Sequence, residues 1–285
     1  MNAISITKAS GEIVPFSEEK LKHSLQRSGA TPSEIDITIT KVKNKLVEGL
    51  STKKIYDLAY AELKKFKKSE AARYHLKKAI MHLGPSGFPF ERFIGELMAG
   101  EGYTIQVGTI LQGICVSHEI DVIAEKENRY ALMECKYHNQ QGIFCDVKVP
   151  LYIRSRTNDV IASLKKNKSH QDLDFEAWVV TNTKFSNDAR QYGLCAGMKL
   201  MSWDYPVGKS IKDRVDLTGL YPLTCLTTLT KYEKQKLLDL GVVLCRDLIS
   251  HQDWLRNIDL KPNRLGQVLK ECEELCLSIP SPTHS

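Results

Sequence analysis

The sequence predicts an α/β chain in three parts: a mixed sheet flanked by helices in the middle, and a mostly helical segment on either side of it. Three observations carry this. HEIDVIAEK and RYALMECK alternate apolar and polar residues as half-buried strands do, and a polar turn at Glu127 and Asn128 joins them. Apolar residues recur at helical spacing between residues 17 and 83 and again beyond residue 215. GPSGFP (Gly84 to Pro89) places glycines and prolines where no helix continues, so a hinge falls there.

In chain order, the short strands ISITK and EIVPF meet around Gly11. Helices follow near Ser17, Thr31 and Ser51, the second announced by a capping box of Thr31 and Glu34 with Pro32 at the first helical position. The middle segment reads as a helix over Phe88 to Ala99, a strand near Tyr103 to Val107 and the central hairpin. A helix over Val149 to Lys165, a strand Glu176 to Thr181, a helix from Ser186 and a strand around Leu200 complete it. The last segment holds helices over Lys231 to Leu240, Arg246 to His251 and Leu265 to Leu277, then a polar tail containing SIPSPTHS. The expected domains are 1–85, 86–214 and 215–285.

Composition narrows the function classes. With 42% apolar and 26% charged residues the chain is ordinary globular protein, and no apolar run reaches the roughly 18 residues of a membrane span. No basic region followed by an apolar stretch opens the sequence, so a cytoplasmic location is expected. The eight cysteines form no CxxC pair, and Cys272 with Cys276 reads as two side chains on one buried helix face, so no structural metal is assigned. Basic residues gather at Lys64 to Lys68, Lys148 to Arg156 and Lys165 to Lys168 within a net charge of +6. Such clusters fit phosphate tracking and equally fit solvated helix faces.

Chemistry concentrates in the central hairpin. A turn centred between Glu127 and Asn128 sets Asp121 opposite Glu134, with Cα atoms about 5 Å apart. Lys136 shares the face of Glu134, while Ile120, Val122, Met133 and Cys135 point to the other, and His118 also faces away from Asp121. Two carboxylates so close invite a divalent cation, Mg²⁺ by default or Mn²⁺, and Lys136 can then orient water or neutralise a phosphate. The same residues also fit a solvated sheet face with an ordinary salt bridge. Lys148, Arg154 and Arg156 either hold a DNA backbone or form plain helix surface.

Asp121 followed by the triplet Glu134, Cys135 and Lys136 resembles the D…ExK signature of the PD-(D/E)xK nucleases, specifically Mrr-like restriction endonucleases. Ile120 stands where proline often precedes the aspartate. GFPFERFIGELMAGEGY resembles the family's preceding helix, with Glu91 at the matching acid, and VVTNTKFSNDARQYG resembles its closing strand and helix. Glu96, nearly half a turn round from Glu91, reads as a solvated charge. The resemblance implies a restriction-endonuclease-like fold over about Gly87 to Ser202. It also implies catalytic residues Glu91, Asp121, Glu134 and Lys136, with Glu91, Asp121 and Glu134 as Mg²⁺ or Mn²⁺ ligands.

The first segment is similar to an ATP-cone, the nucleotide-binding regulatory domain known from ribonucleotide reductases. The match is carried by ITKASGEIVPFSEEKLKHSL, LSTKKIYDLAYAEL and AARYHLKKAI, with Ala9 and Ser10 where the family usually has an arginine and an acid. It implies ATP or dATP as a regulatory ligand held by Lys8, Gly11, Lys20 and Thr52, without hydrolysis. LTCLTTLTKYEKQKLLDLGVVLCRDLI resembles helix-hairpin-helix domains around Gly241, and a plain helical cap or dimerisation module fits it as well. Together these readings lead to a metal-dependent DNA endonuclease in restriction, defence or repair, regulated by adenine nucleotide and acting as a homodimer where both strands are cut. The alternatives are a non-catalytic, nucleotide-sensing DNA-binding regulator on an inactivated nuclease fold, and RNA in place of DNA as substrate.

Overall fold

The computed structural model describes residues 4–140 and 142–276; the polar tail, with the last residue of the helix expected to end at Leu277, lies outside the described residues. Backbone packing divides the chain into two compact units. Among the described residues, those up to Ile80 and those from Tyr221 form one, and those from Met81 to Leu220 the other. The segments read from sequence as a first and a third domain therefore share a unit.

In the first unit, β1 (Ser5–Thr7) runs antiparallel to β2 (Ile13–Pro15). Helices α1 (Glu18–Arg27) and α2 (Pro32–Lys43) follow. Helix α2 opens on the expected capping box: Glu34 Oε2 accepts from the Thr31 amide at 2.7 Å, and Thr31 Oγ1 accepts from the Glu34 amide at 3.4 Å. A two-residue strand, β3 (Leu50–Ser51), pairs parallel to β1 and is too short to leave a sequence pattern. Helices α3 (Thr52–Phe66), α4 (Lys68–Tyr74) and α5 (Leu76–Ile80) complete this part. Leu21, Leu25, Ile35, Ile39, Ile55 and Leu63 make its core.

The second unit runs α6 (Phe88–Gly100), β4 (Thr104–Gln112), β5 (Ser117–Lys126), β6 (Arg129–Lys136), β7 (Phe144–Cys145), α7 (Lys148–Leu164), β8 (Asp174–Thr181), β9 (Lys184–Phe185), α8 (Asn187–Cys195), β10 (Lys199–Met201) and α9 (Ile211–Thr218). Its main sheet has the order β10-β8-β6-β5-β4. Neighbours β4, β5 and β6 are antiparallel and joined by short turns; β6 with β8 and β8 with β10 are parallel, which requires crossovers, and α7 and α8 provide them. Strands β7 and β9 form a separate parallel pair. Helix α6 lies close on β4 because position 95 is glycine: a Cβ there would already stand 3.1 Å from Ile105.

Helix α7 closes one face of the sheet. Val160 packs with Ile120, Ile123, Tyr130 and Leu132, and Ile153 packs with Ala177, Val179 and Ala189. The chain then returns to the first unit with α10 (Lys231–Asp239), α11 (Cys245–Ser250), α12 (Asp253–Asn257) and α13 (Pro262–Cys276). Buried polar groups hold this return in place. Thr224 Oγ1 donates to the Ala79 carbonyl at 2.8 Å, and buried Glu271 accepts from the amides of Thr227 and Thr228 at 2.7 and 2.9 Å. Among the described residues no helix is long and apolar enough to cross a membrane.

Leu132 sits at the centre of the cluster that sets α7 on the sheet and is 1% exposed. Leu132→Ala should destabilise the protein by about 2–5 kcal/mol. Chemical denaturation measures this, and a loss well below that range would mean that α7 is not anchored there.

Candidate functional site

The central hairpin has the expected register, with Val122 opposite Met133, Lys126 opposite Arg129 and Glu127 at φ +55° in the turn. The ladder ends at Val122 and Met133, one pair short of Asp121 and Glu134. On the other edge of β5, Val107 pairs with Val122 and Thr109 with Ile120, but the intervening Gly108 and Asp121 do not pair. Gly108 stands at φ +64°, where a side chain would be strained. Asp121 is therefore the point at which β5 is released from both neighbours. Its Oδ2 accepts from the Cys135 amide at 2.7 Å.

This release corrects the expected facing of two residues. Strict alternation set Ile120 and His118 on the side away from Asp121 and Glu134. Instead Ile120 packs with Leu132 and Val160, and His118 Nε2 meets Asp159 Oδ2 of α7 at 2.8 Å. Leu132 shares a face with Glu134, being two residues away on the same strand. The β4–β5 register is the same on both sides of the unpaired Gly108 and Asp121, so no residue is inserted; the left-handed Gly108 lies at this break, and the residues before Asp121 face α7.

Glu91, in the first turn of α6, is half-buried. Gly87 gives it room: a Cβ at 87 would stand 3.0 Å from Glu91 Oε1. Lys136 is exposed at the end of β6, opposite Thr181 of β8. Asp121 and Glu134 lie within electrostatic reach of each other, of Glu91 and of Lys136. Burial pushes the Glu91 carboxyl up to about 7, with the charges of Asp121, Glu119 and Glu134 adding to the rise. Burial and then the charge of Asp121 raise Glu134 to about 7, against the lowering effect of Arg156 and Lys136. Burial also raises Asp121, opposed by the Cys135 amide and by Arg156.

Arg156, expected either on a DNA backbone or on plain helix surface, is bound inside this cluster. Its Nη1 donates to Glu134 Oε2 at 2.9 Å, and its Nη2 donates to the Glu119 carbonyl. Nothing in the spacing from Glu134 to Arg156 announces this contact, because α7 crosses from β6 to β8 at an angle no sequence pattern records. Asp159, one turn on, was also missed. It takes His118 and the amides of Cys115 and Val116, which hold its carboxyl down at about 2. Among the described residues no group of three or more His, Cys, Asp or Glu side chains is close enough to hold a metal ion. Glu91, Asp121 and Glu134 thus converge electrostatically without forming a closed three-ligand cage.

The other expected site lies in the first unit. Gly11 is at φ +83°, and its amide donates to the Lys8 carbonyl at 2.9 Å, closing the β1–β2 turn. Thr7 registers with Ser51, so Lys8 and Thr52 follow directly on the ends of two adjacent parallel strands. Thr52 begins α3, whose first turn contains Lys53 and Lys54 and no acid. Cations at a helix N-terminus oppose its dipole, an arrangement that an anionic ligand relieves. Lys8 Nζ is paired with Glu12 at 2.8 Å, and no hydrogen bond or ion pair among the described residues ties exposed Lys20 to Lys8 or Thr52.

The ATP cone domain model matches residues 4–79, and the model named AF1548-like, C-terminal matches residues 221–276. An uncharacterized protein of Archaeoglobus fulgidus is 34% identical over 183 residues, which is 64% of this chain and 99% of that protein. The crystal structure of AF1548, a protein of unknown function, matches at 32% identity and a TM-score of 0.55, over 67% of this chain and 98% of that one. Residues 4–79 are accordingly an ATP-cone domain.

Glu91 gives the site a pH signature. Its carboxyl titrates near 7 when folded against an ordinary 4.5, so between these values the unfolded chain loses its proton first and stability falls as pH rises. In the absence of divalent cations, thermal midpoints of the wild type should drop across this window more than those of Glu91→Gln. Parallel curves would remove Glu91 from the cluster.

Proposed function

The chain belongs to the AF1548-like family, and from its acidic site we propose that it is a divalent-cation-dependent DNA endonuclease under the control of an adenine nucleotide bound to its ATP-cone. The observation that carries the reading is the convergence of Glu91, Asp121 and Glu134, beside exposed Lys136, at the point where β5 parts from β6 and its pairing with β4 is interrupted. A stable fold has little reason to crowd half-buried carboxylates unless something positive is meant to join them.

The donor set fits Mg²⁺ or Mn²⁺. Mg²⁺ typically uses one or two carboxylates and completes its shell with water and phosphate oxygens, so Asp121 and Glu134 suffice without a three-residue cage. When bound, such an ion lowers the pKa of its water and offsets charge on a phosphodiester. Asp121 is fixed for this role by the Cys135 amide, and Glu91 reaches the same region from α6 across the gap that Gly87 leaves. The exposed Lys136, whose amine has no hydrogen bond or ion pair among the described residues, can orient the attacking water and neutralise the phosphate. The order of elements from α6 to α8, with Asp121 and Glu134 on adjacent strands, supports a restriction-endonuclease-like core for this unit.

In the ATP-cone, Lys8, Thr52 and the cationic first turn of α3 suit a polyphosphate, with Gly11 shaping the turn beside them. ATP or dATP would compete with Glu12 for Lys8. One observation favours a second reading, a binding-only regulator: Glu134 already has a cation, Arg156, as its partner.

Supercoiled plasmid separates the two readings. The wild type should nick or cut it with Mg²⁺ or Mn²⁺ and not with EDTA, and the rate should change when ATP or dATP is added. Asp121→Ala and Lys136→Ala should each lose at least about a hundredfold in rate, the scale expected of removing an electrostatic or acid–base group. Binding of DNA without cutting under any of these conditions would favour the regulator. Cutting at equal rates by all three proteins would place the chemistry elsewhere.

A further inference from the structure

Arg156 reaches from the middle of α7 into the acidic cluster and is held there at three points. Nη1 bonds Glu134 Oε2 at 2.9 Å, Nη2 bonds the Glu119 carbonyl, and the guanidinium lies 5.4 Å from the ring centre of Tyr152, one turn earlier on the helix. Both partners of the ion pair are sheltered, with 15% of the Arg156 side chain and 21% of the Glu134 side chain exposed. Sheltered charge-assisted bonds of this kind are well screened from salt and geometrically fixed, unlike surface pairs.

The Glu134 oxygen that Arg156 occupies belongs to a carboxylate that a divalent cation would need. A guanidinium also presents a planar fork of donors that matches a phosphate as well as it matches a carboxylate. A divalent ion brings twice the charge to Asp121 and Glu134 and, unlike a guanidinium, can be coordinated by both. Once it is in place, the same two carboxylates no longer hold Arg156 as strongly, and the nearest new anion is the substrate backbone.

We infer that Arg156 is the built-in counter-ion of this site: it occupies Glu134 until a divalent cation displaces it, and the freed guanidinium then grips the phosphate at the cut. The inference rests on the nuclease reading and assigns to Arg156 two successive partners. It makes opposite demands on two measurements, because the residue competes with the cation and serves the substrate. A residue with only a structural role would not move cation affinity and cutting in opposite directions.

The test compares the full chain with Arg156→Gln and Arg156→Lys at one pH, by Mn²⁺ titration followed through the paramagnetic signal of free Mn²⁺, and by plasmid cutting at saturating Mn²⁺. Removing a unit positive charge next to the cation should tighten Mn²⁺ binding by about tenfold or more. The Gln variant should nevertheless cut at least tenfold more slowly, as expected when a phosphate loses its charged partner. The Lys variant, which keeps charge without the fork, should bind Mn²⁺ nearly as the wild type does and still cut slowly. It decides the matter if circular dichroism shows the Gln variant unfolded. Unchanged or weaker Mn²⁺ binding in a folded Gln variant, or full cutting by either variant, would overturn the role of Arg156 and leave the nuclease reading intact. Absence of both Mn²⁺ binding and cutting in all three proteins would remove that reading and this inference with it.

Discussion

Like charges held close together in a half-buried place are the constraint around which the second unit is organised. Carboxylates that feel one another's charge in a partly buried place resist joint ionisation, so each must find a compensating partner or take up a proton. The structure answers this repulsion locally. The Cys135 amide binds Asp121, Arg156 binds Glu134, and burial shifts Glu91 and Glu134 toward the protonated form near neutral pH. Each answer depends on backbone placement. Gly108 frees Asp121 from the ladder, Gly87 leaves space for Glu91, and the packing of Val160 on Leu132 sets α7 where Arg156 can reach.

The first unit is organised on a different principle, one shared interior made from both ends of the chain. The ATP-cone ends at α5, and the carbonyl of Ala79 is satisfied by Thr224 from the C-terminal segment, while Arg73 of α4 donates to the Glu274 carbonyl of α13 at 2.6 Å. Buried backbone carbonyls need such partners. Residues 221–276 thus complete the surroundings of the ATP-cone helices.

Much of this was legible in the sequence because it rests on local rules. The Thr31 capping box, the turn at Glu127 and Asn128 and the register of β5 with β6 follow from cap chemistry and strand alternation, and all are present. The same rules brought Asp121, Glu134 and Lys136 to one place. What local rules missed is what depends on the third dimension. Alternation misplaced His118 and Ile120, which face α7 beyond the break at the unpaired Gly108 and Asp121. The ion pair of Arg156 with Glu134 depends on how a crossover helix lies on the sheet. The joining of the two flanking segments depends on contacts such as Thr224 with Ala79, far apart in the chain. Strands β3, β7 and β9 were invisible because two residues carry no period.

The most direct test of the central claim is anomalous diffraction from crystals soaked in Mn²⁺ above neutral pH, where the carboxylates of Glu91 and Glu134 are ionised. The account requires an anomalous peak at bonding distance, about 2.1 Å, from oxygens of both Asp121 and Glu134, with the guanidinium of Arg156 moved off Glu134. A Mn²⁺-saturated crystal in which Arg156 still holds Glu134 and no peak lies against Asp121 would contradict it.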